Sequence, residues 1–105
     1  MSVIWTPTAI DTVKELLEYR RAFYGPTHIK KTKSLIASAG RFLSDNPYLG
    51  QKEPLLEHIE GDYRRFMIER NLKLIYKIQD GNVFIMFLWN TYKNPDGMQF
   101  LLRNP

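Results

Sequence analysis

The sequence contains no cysteine, and its two histidines, His28 and His58, lie far apart. Without cysteine the chain can form neither a disulfide nor a thiolate metal site. The histidines do not show the spacing of metal ligands, and no carboxylate cluster with ligand spacing is visible. We therefore expect no metal site and no cofactor.

Long apolar runs are also absent. The longest such run, 83–89, is far shorter than the roughly 20 residues that a membrane-spanning helix requires. The opening residues, MSVIWTPTAID, lack the basic start and the apolar stretch of a secretory signal. We expect a cytoplasmic protein with no membrane partner.

Acidic residues are missing from one part of the chain. No Asp or Glu occurs between Glu18 and Asp45, whereas six Arg or Lys residues fall in this window. The net charge of the whole chain is +4. A basic segment without compensating acids is typical of a surface that binds nucleic acid or an acidic protein. A solvated helix face is the alternative interpretation.

The first half of the chain predicts a strand and two helices. Residues 2–5 are a short apolar start that suits a strand. Thr6-Pro7 then marks a helix start, because Thr caps helices and Pro fits the first helical position. Apolar residues at helical spacing predict one helix up to Gly25-Pro26 and a second one that is capped by Thr27 and ends at Asn46-Pro47. The short connection predicts an antiparallel helical hairpin.

A long loop, 46–62, follows, with a brief extended piece expected around Leu55 to Ile59. Three strands are then predicted, with Asp80-Gly81 or Gly81-Asn82 as the tight turn between the last two. Their ranges are 63–70, 72–79 and 83–89. The apolar residues of the tail, Phe100-Leu101-Leu102, are expected to pack back on the helices, and a contact with a protein partner is the alternative.

The expected fold class is therefore α+β, with one domain over residues 1–105. The predicted order is β-α-α-β-β-β: an N-terminal strand, a two-helix hairpin and an antiparallel three-strand β-sheet. The helices should cover one face of the sheet and leave the other face partly open.

Three stretches, read in order, resemble a known family: NPYLGQKEPLLE, GDYRRFMIERNLKLIYKI and NVFIMFLWNTYKNP. Together they look like the RelE/ParE superfamily of toxins from type II toxin–antitoxin systems, from about Val3 to about Asp96. The resemblance implies a cognate antitoxin as a partner. It also implies one of two activities, since RelE- and YoeB-like members cut mRNA in the ribosomal A site, whereas ParE-like members inhibit DNA gyrase and have no nuclease site.

For the nuclease branch, the resemblance implies a catalytic set. Glu53, in Glu53-Pro54-Leu55, matches the proposed base of YoeB-like members. Lys73 falls where the family has a phosphate-facing arginine. A lysine can still neutralise a phosphate, but it lacks the planar guanidinium with which arginine forms two parallel hydrogen bonds. Tyr92 matches a YoeB-like tyrosine and Lys93 follows it, whereas Thr91 stands where the histidine of that branch would be.

The remaining basic residues form the candidate nucleic-acid-binding set. Lys30, Lys31 and Lys33 lie mostly off the apolar stripe of the second helix and should face solvent. On the predicted strand 63–70, Arg64 and Arg70 share one parity and Arg65 has the other. With Lys73, Lys77 and Lys93, these arginines are expected to form a basic concave face for RNA phosphates or for an acidic antitoxin tail.

These observations favour a toxin that inhibits translation as a ribosome-dependent mRNA endoribonuclease, an mRNA interferase that needs no metal. Its partners would be the antitoxin, the ribosome and mRNA. The alternatives are a ParE-like inhibitor of DNA gyrase, for which the lysines of the hairpin would matter more than the sheet, and an inactive member of the family.

Overall fold

The computed structural model describes residues 1–93 and 96–103. Across these residues the chain alternates strands and helices in an α+β arrangement, as the sequence predicts. The elements are β1 (Ser2–Trp5), α1 (Pro7–Phe23), α2 (Pro26–Asp45), β2 (Gln51–Lys52), a one-turn 3-10 helix (Pro54–Leu56), β3 (Asp62–Glu69), β4 (Leu72–Gln79), β5 (Asn82–Asn90) and α3 (Asp96–Arg103).

The described strands form one mixed sheet in the order β1-β5-β4-β3-β2. The predicted antiparallel hairpins of β3, β4 and β5 are confirmed. Two further strands extend this sheet at its edges. β1 pairs in parallel with β5, so that Ser2 lies opposite Asn82, and the short β2 pairs antiparallel with β3.

The two long helices cover one face of the sheet. The strict alternation of β4 sends Leu72, Leu74 and Tyr76 to this face, where they are buried. Ala9 of α1 and Ile36 and Leu43 of α2 pack against them in the same core. Burial of this apolar surface is the main stabilising term for the sheet and the hairpin together.

The cap of α1 is confirmed, and the cap of α2 is corrected. Thr6 Oγ1 accepts a hydrogen bond of 3.1 Å from Ala9 N and donates one of 2.9 Å to Ile85 O. In α2, however, the N-cap is Gly25 and not Thr27. Pro26 takes the first helical position, which suits its fixed φ, and Thr27 therefore already lies inside the helix.

Asp80-Gly81 forms the turn between β4 and β5. Both residues have positive φ angles, 51° and 75°, and Gln79 pairs with Asn82 directly across the turn. Positive φ at both central positions is the geometry of a type I′ turn, whose twist matches that of the flanking strands. Of the two possible turns that the sequence indicated, the chain therefore uses Asp80-Gly81 and not Gly81-Asn82.

The second face of the sheet is covered, which contradicts the prediction that it stays partly open. A second core of Leu56, Ile75, Phe87, Trp89 and Met98 lies there. Met98 belongs to α3, and it is fully buried.

The tail and the long loop both supply this cover. Leu101 and Leu102 pack against the second core, so the expectation that they return to the long helices is wrong. The side chain of Phe100 lies outside the described residues. The extended piece expected at 55–59 is also wrong, because the 3-10 helix begins at Pro54 and the extended residues are Gln51–Lys52.

Candidate functional site

Two of the predicted catalytic residues contact each other. Lys73 Nζ donates hydrogen bonds of 2.9 and 2.8 Å to the two carboxylate oxygens of Glu53. Glu53 is only 1% exposed and Lys73 only 5% exposed. The pair is therefore a buried salt bridge in which each charge is compensated by the other.

Local structure positions both side chains. Glu53 is the N-cap of the 3-10 helix, where its Oε1 also accepts a hydrogen bond of 3.3 Å from Leu55 N. Lys73 lies near the start of β4, in register between Met67 and Trp89, and therefore belongs to the second face of the sheet. The long loop closes over that face, so Lys73 is buried and does not contribute to the predicted exposed basic face.

The other two predicted catalytic residues lie beyond the end of β5. Tyr92 is 80% exposed, and its backbone N–H donates a 2.9 Å hydrogen bond to Asn90 Oδ1. Lys93 Nζ lies 5.8 Å from the centroid of the Trp89 ring, a cation–π contact. Trp89 is also the register partner of Lys73, and Lys93 itself is exposed.

The strand arginines have separate structural contacts. Arg64 donates hydrogen bonds of 3.0 Å to Asp62 Oδ1 and 2.8 Å to Gly50 O, and its guanidinium lies over the ring of Tyr48. Arg65, on the opposite face as predicted, donates a 3.4 Å hydrogen bond to Gln51 Oε1.

The carboxylate of Asp62 forms ion pairs with two basic residues. It lies 2.7 Å from Lys52 Nζ and 3.0 Å from Arg64 Nε. Partial burial opposes ionisation, but the hydrogen bond from Lys52 and the charge and hydrogen bond of Arg64 hold the pKa of Asp62 below its usual value.

The remaining candidates do not complete a single basic face. Arg70 is exposed in the turn between β3 and β4, which corrects its assignment to the strand. Lys77 lies over the rings of Tyr63 and Phe84, at 6.0 and 5.6 Å from their centroids. Lys30, Lys31 and Lys33 are exposed on α2, as predicted. The binding of nucleic acid by these residues stays a prediction.

The site thus offers exposed cations but a neutralised acid–base pair. Within residues 1–93 and 96–103, no three His, Cys, Asp or Glu side chains come together in a way that could hold a metal ion. No helix in the same ranges is long and apolar enough to cross a membrane.

Comparison with known proteins identifies the family. A family profile described as ParE toxin of type II toxin-antitoxin system, parDE, matches residues 3–94. This chain belongs to that family. No curated protein matches the toxin sequence.

A solved structure agrees with the toxin in fold. It is described as the chromosomal ParDE TA system from P. aeruginosa, and it superposes with a TM-score of 0.71 at 18% sequence identity. The match covers 86% of the toxin and 95% of the other chain. At this identity the likeness supports the RelE/ParE-like fold and carries no residue roles.

Sequence reasoning missed the anchor of the long loop. Tyr76 is fully buried, and its hydroxyl accepts a 2.9 Å hydrogen bond from Gly50 N and donates one of 2.8 Å to Pro47 O. Burial raises the pKa of Tyr76, which keeps the phenol protonated and able to donate. The proline and glycine in NPYLG were the available signal, because each restricts or frees the backbone at a specific point.

A second missed feature ties the toxin's helices to its sheet. Arg20 of α1 forms two parallel hydrogen bonds of 2.8 Å with the carboxylate of Glu69 at the end of β3. Arg20 also donates a 3.1 Å hydrogen bond to Thr32 Oγ1 of α2. The hydrogen bond from Arg20 holds the pKa of Glu69 below its usual value. No local pattern predicts a contact between residues so distant in sequence.

An apolar groove runs between β1, α1 and α2 of the toxin. Val3, Trp5 and Ile36 belong to its lining, and its volume is about 650 Å³. Its charged lining residues are all basic, namely Lys14, Lys33 and Arg41. The groove is therefore apolar at its base and positive around it.

Proposed function

We propose that this toxin inhibits DNA gyrase by binding it and does not cut RNA. The observation that carries the proposal is the buried salt bridge between Glu53 and Lys73. Attack by a 2′-hydroxyl on the adjacent phosphate needs a base that reaches the hydroxyl and cations that reach the phosphorane. Groups that are buried and paired with each other do not reach a substrate.

Membership of the ParE family supports the same proposal. The catalytic residue set of the nuclease branch is incomplete in this sequence, since Thr91 stands in place of a histidine and Lys73 in place of an arginine. Inhibition by binding requires neither group. It requires an exposed surface that fits the target, and the toxin offers basic and aromatic side chains on the helical hairpin.

We also propose that the apolar groove receives a segment of the cognate antitoxin. Its apolar base and its basic residues fit an amphipathic helix whose polar face is acidic. Ala37, an exposed residue of α2, lines this groove. An Ala37→Glu substitution should therefore repel such a helix, whereas Ser34→Glu, on an exposed part of α2 that does not line the groove, is the matched control. The probe is the product of an adjacent reading frame encoding a small acidic protein, and the readout is rescue of growth on co-expression.

The target is tested with two purified systems. Relaxed plasmid and gyrase holoenzyme report supercoiling, and a reconstituted translation reaction reports cleavage of ribosome-bound mRNA. We expect loss of supercoiling at micromolar toxin and intact mRNA. Supercoiling that proceeds normally at that concentration would rule the proposal out.

The double variant Glu53→Gln, Lys73→Met separates the two mechanisms. It removes both buried charges and roughly preserves side-chain volume. A gyrase inhibitor that acts by binding should keep its activity in this variant, whereas a nuclease that uses either group should lose it. The exposed positions of Tyr92 and Lys93 favour mRNA cleavage as the second candidate, and cleavage by the wild type that this double variant abolishes would establish it.

A further inference from the structure

The tip of the helical hairpin carries an exposed aromatic cluster. Tyr19 and Phe23 lie on the last turns of α1, and Tyr24 follows in the connection to α2; we call these three residues the aromatic tip. Their exposed fractions are 65%, 68% and 54%. The rings of Tyr19 and Phe23 contact each other, with centroids 5.1 Å apart. Exposed apolar side chains grouped in this way are a mark of an interaction surface.

Basic residues lie on one side of the aromatic tip. Arg21 and Lys30 line a hollow of about 490 Å³ together with Tyr24, Pro26 and Ile29. The tip lies within the window from 19 to 44 that contains no acidic residue. The last turn of α1 contains Arg20, which is paired with Glu69, and Arg21, which is exposed. The tip therefore combines apolar rings with the exposed positive charges of Arg21 and Lys30.

We propose that the aromatic tip docks on an acidic surface of the protein that the toxin inhibits. Phe23 and Tyr19 would enter an apolar pocket, and Arg21 and Lys30 would meet carboxylates at its edge. Aromatic residues and arginine dominate the binding energy of protein interfaces, which is the composition found here. This inference rests on the proposed function, because it names the part of the toxin that touches gyrase.

The ring geometry favours a protein over a single-stranded nucleic acid. Base stacking needs an open aromatic face. Tyr24 is stacked on His28, with centroids 4.3 Å apart and planes at 23°, so one of its faces is occupied. Tyr19 and Phe23 are tilted toward each other at 50°. The rings thus present edges and a compact apolar surface, which suit a pocket better than a base.

The charge at the tip also disfavours a second copy of the toxin. A symmetric dimer places the same patch of each protomer against its partner. Arg21 and Lys30 would then approach cations of the same kind across the interface, which is unfavourable. An acidic partner avoids this repulsion.

The test uses two tip variants and one control on the full chain. Tyr19→Ser, Phe23→Ser removes the rings, and Arg21→Glu, Lys30→Glu reverses the charge. Tyr48→Ser is the control, because Tyr48 is 59% exposed and follows the other end of α2. A helix of 20 residues places that end about 30 Å from the tip.

Each protein is titrated into gyrase holoenzyme with relaxed plasmid, and growth arrest on expression is recorded in parallel. For both tip variants we expect the concentration that half-inhibits supercoiling to rise by about tenfold or more, because each variant removes an interface anchor. The control should match the wild type. Circular dichroism and thermal melting establish that every variant is folded.

The outcomes are distinguishable. Folded tip variants that still inhibit gyrase and arrest growth overturn the docking inference and leave the proposed function in place. A wild type that spares gyrase but arrests growth, with arrest lost in the tip variants, overturns the gyrase proposal and keeps the tip as the target-docking surface. A wild type without effect on gyrase or growth overturns both.

Two further results would assign the tip to another partner and overturn the inference. One is binding of a fluorescent oligo-dT or oligo-U that both tip variants lose. The other is a concentration-dependent dimer of the wild type, seen by analytical ultracentrifugation, that the tip variants abolish.

Discussion

Lys73 on β4 holds Glu53 of the long loop through two hydrogen bonds of 2.9 and 2.8 Å. Both groups are buried, so the contact fixes the loop on the second face of the sheet. A charge buried in this way is tolerated only because its partner is present. The relationship leads to the first prediction.

Replacement of Lys73 by Ala should destabilise the fold by about 3–5 kcal/mol, because it leaves the Glu53 carboxylate buried and unpaired. The double variant Glu53→Gln, Lys73→Met should lose much less, since no uncompensated charge remains. Urea unfolding followed by circular dichroism measures both values. Equal losses in the single and double variants would contradict this account of the pair.

The Arg20–Glu69 contact predicts a dependence of stability on pH. The hydrogen bond from Arg20 lowers the pKa of Glu69 in the folded state. A lowered carboxyl pKa contributes stability that is present above the unfolded pKa, about 4.3, and is lost as pH falls through the folded value. As the pH is lowered, the free energy of unfolding should therefore decrease less in Glu69→Gln than in the wild type.

At neutral pH the same contact can be tested from the arginine. Arg20→Met should cost about 1 kcal/mol, because a bidentate, partly buried pair is stronger than an ordinary surface pair. Arg21→Met is the matched control, since Arg21 is exposed on the same turn of α1. A control that loses as much stability as Arg20→Met would show that general helix effects dominate.

The Tyr76 hydroxyl gives a prediction about the long loop. Tyr76→Phe leaves the ring in place but removes the partner of Gly50 N and Pro47 O. An unsatisfied buried backbone group costs about 1–3 kcal/mol. Hydrogen exchange should also rise at the Gly50 amide, and unchanged protection there would show that the hydroxyl is not its partner in solution.

Gly50 itself has no room for a side chain. A Cβ at this position would lie 2.4 Å from Arg65 O and 2.5 Å from the Tyr76 hydroxyl. Gly50→Ala should therefore cost about 2 kcal/mol or more through steric overlap. Gly25→Ala is the control, because nothing lies within 4 Å of the added Cβ and φ is −78°. A tolerated Gly50→Ala, judged by an unchanged melting temperature, would contradict the packing described here.

Local patterns sufficed where neighbouring residues decide the structure. Alternation predicted β4 from Leu72 to Gln79, and the Asp-Gly pair predicted the turn after it. The start of α1 followed from Thr6-Pro7. Each of these signals acts within a few residues, so the rest of the chain did not need to be known.

The missed features depend on partners distant in sequence. Lys73 has the alternation of an outward residue, and only the return of the long loop over the second face buries it. The short helix α3 was also missed, although Met98, Leu101 and Leu102 have helical spacing, because its amphipathic pattern spans little more than two turns. In the site, the sequence indicated Glu53 and Lys73 individually, and their pairing changed the expected chemistry.

Because β1 pairs in parallel with β5, the first strand of this chain depends on a strand that is synthesised much later. Ser2 aligns with Asn82 and Trp5 with Ile85, so the first strand has no partner in the sheet until most of the chain has been synthesised. Thr6 depends on the same late segment, since its hydroxyl donates to Ile85 O. A nascent chain that stops before β5 would possess the helical hairpin but not the sheet that supports it. The arrangement therefore delays formation of the complete sheet until β5 has been made, and the hairpin has its full support only once that late strand is in place.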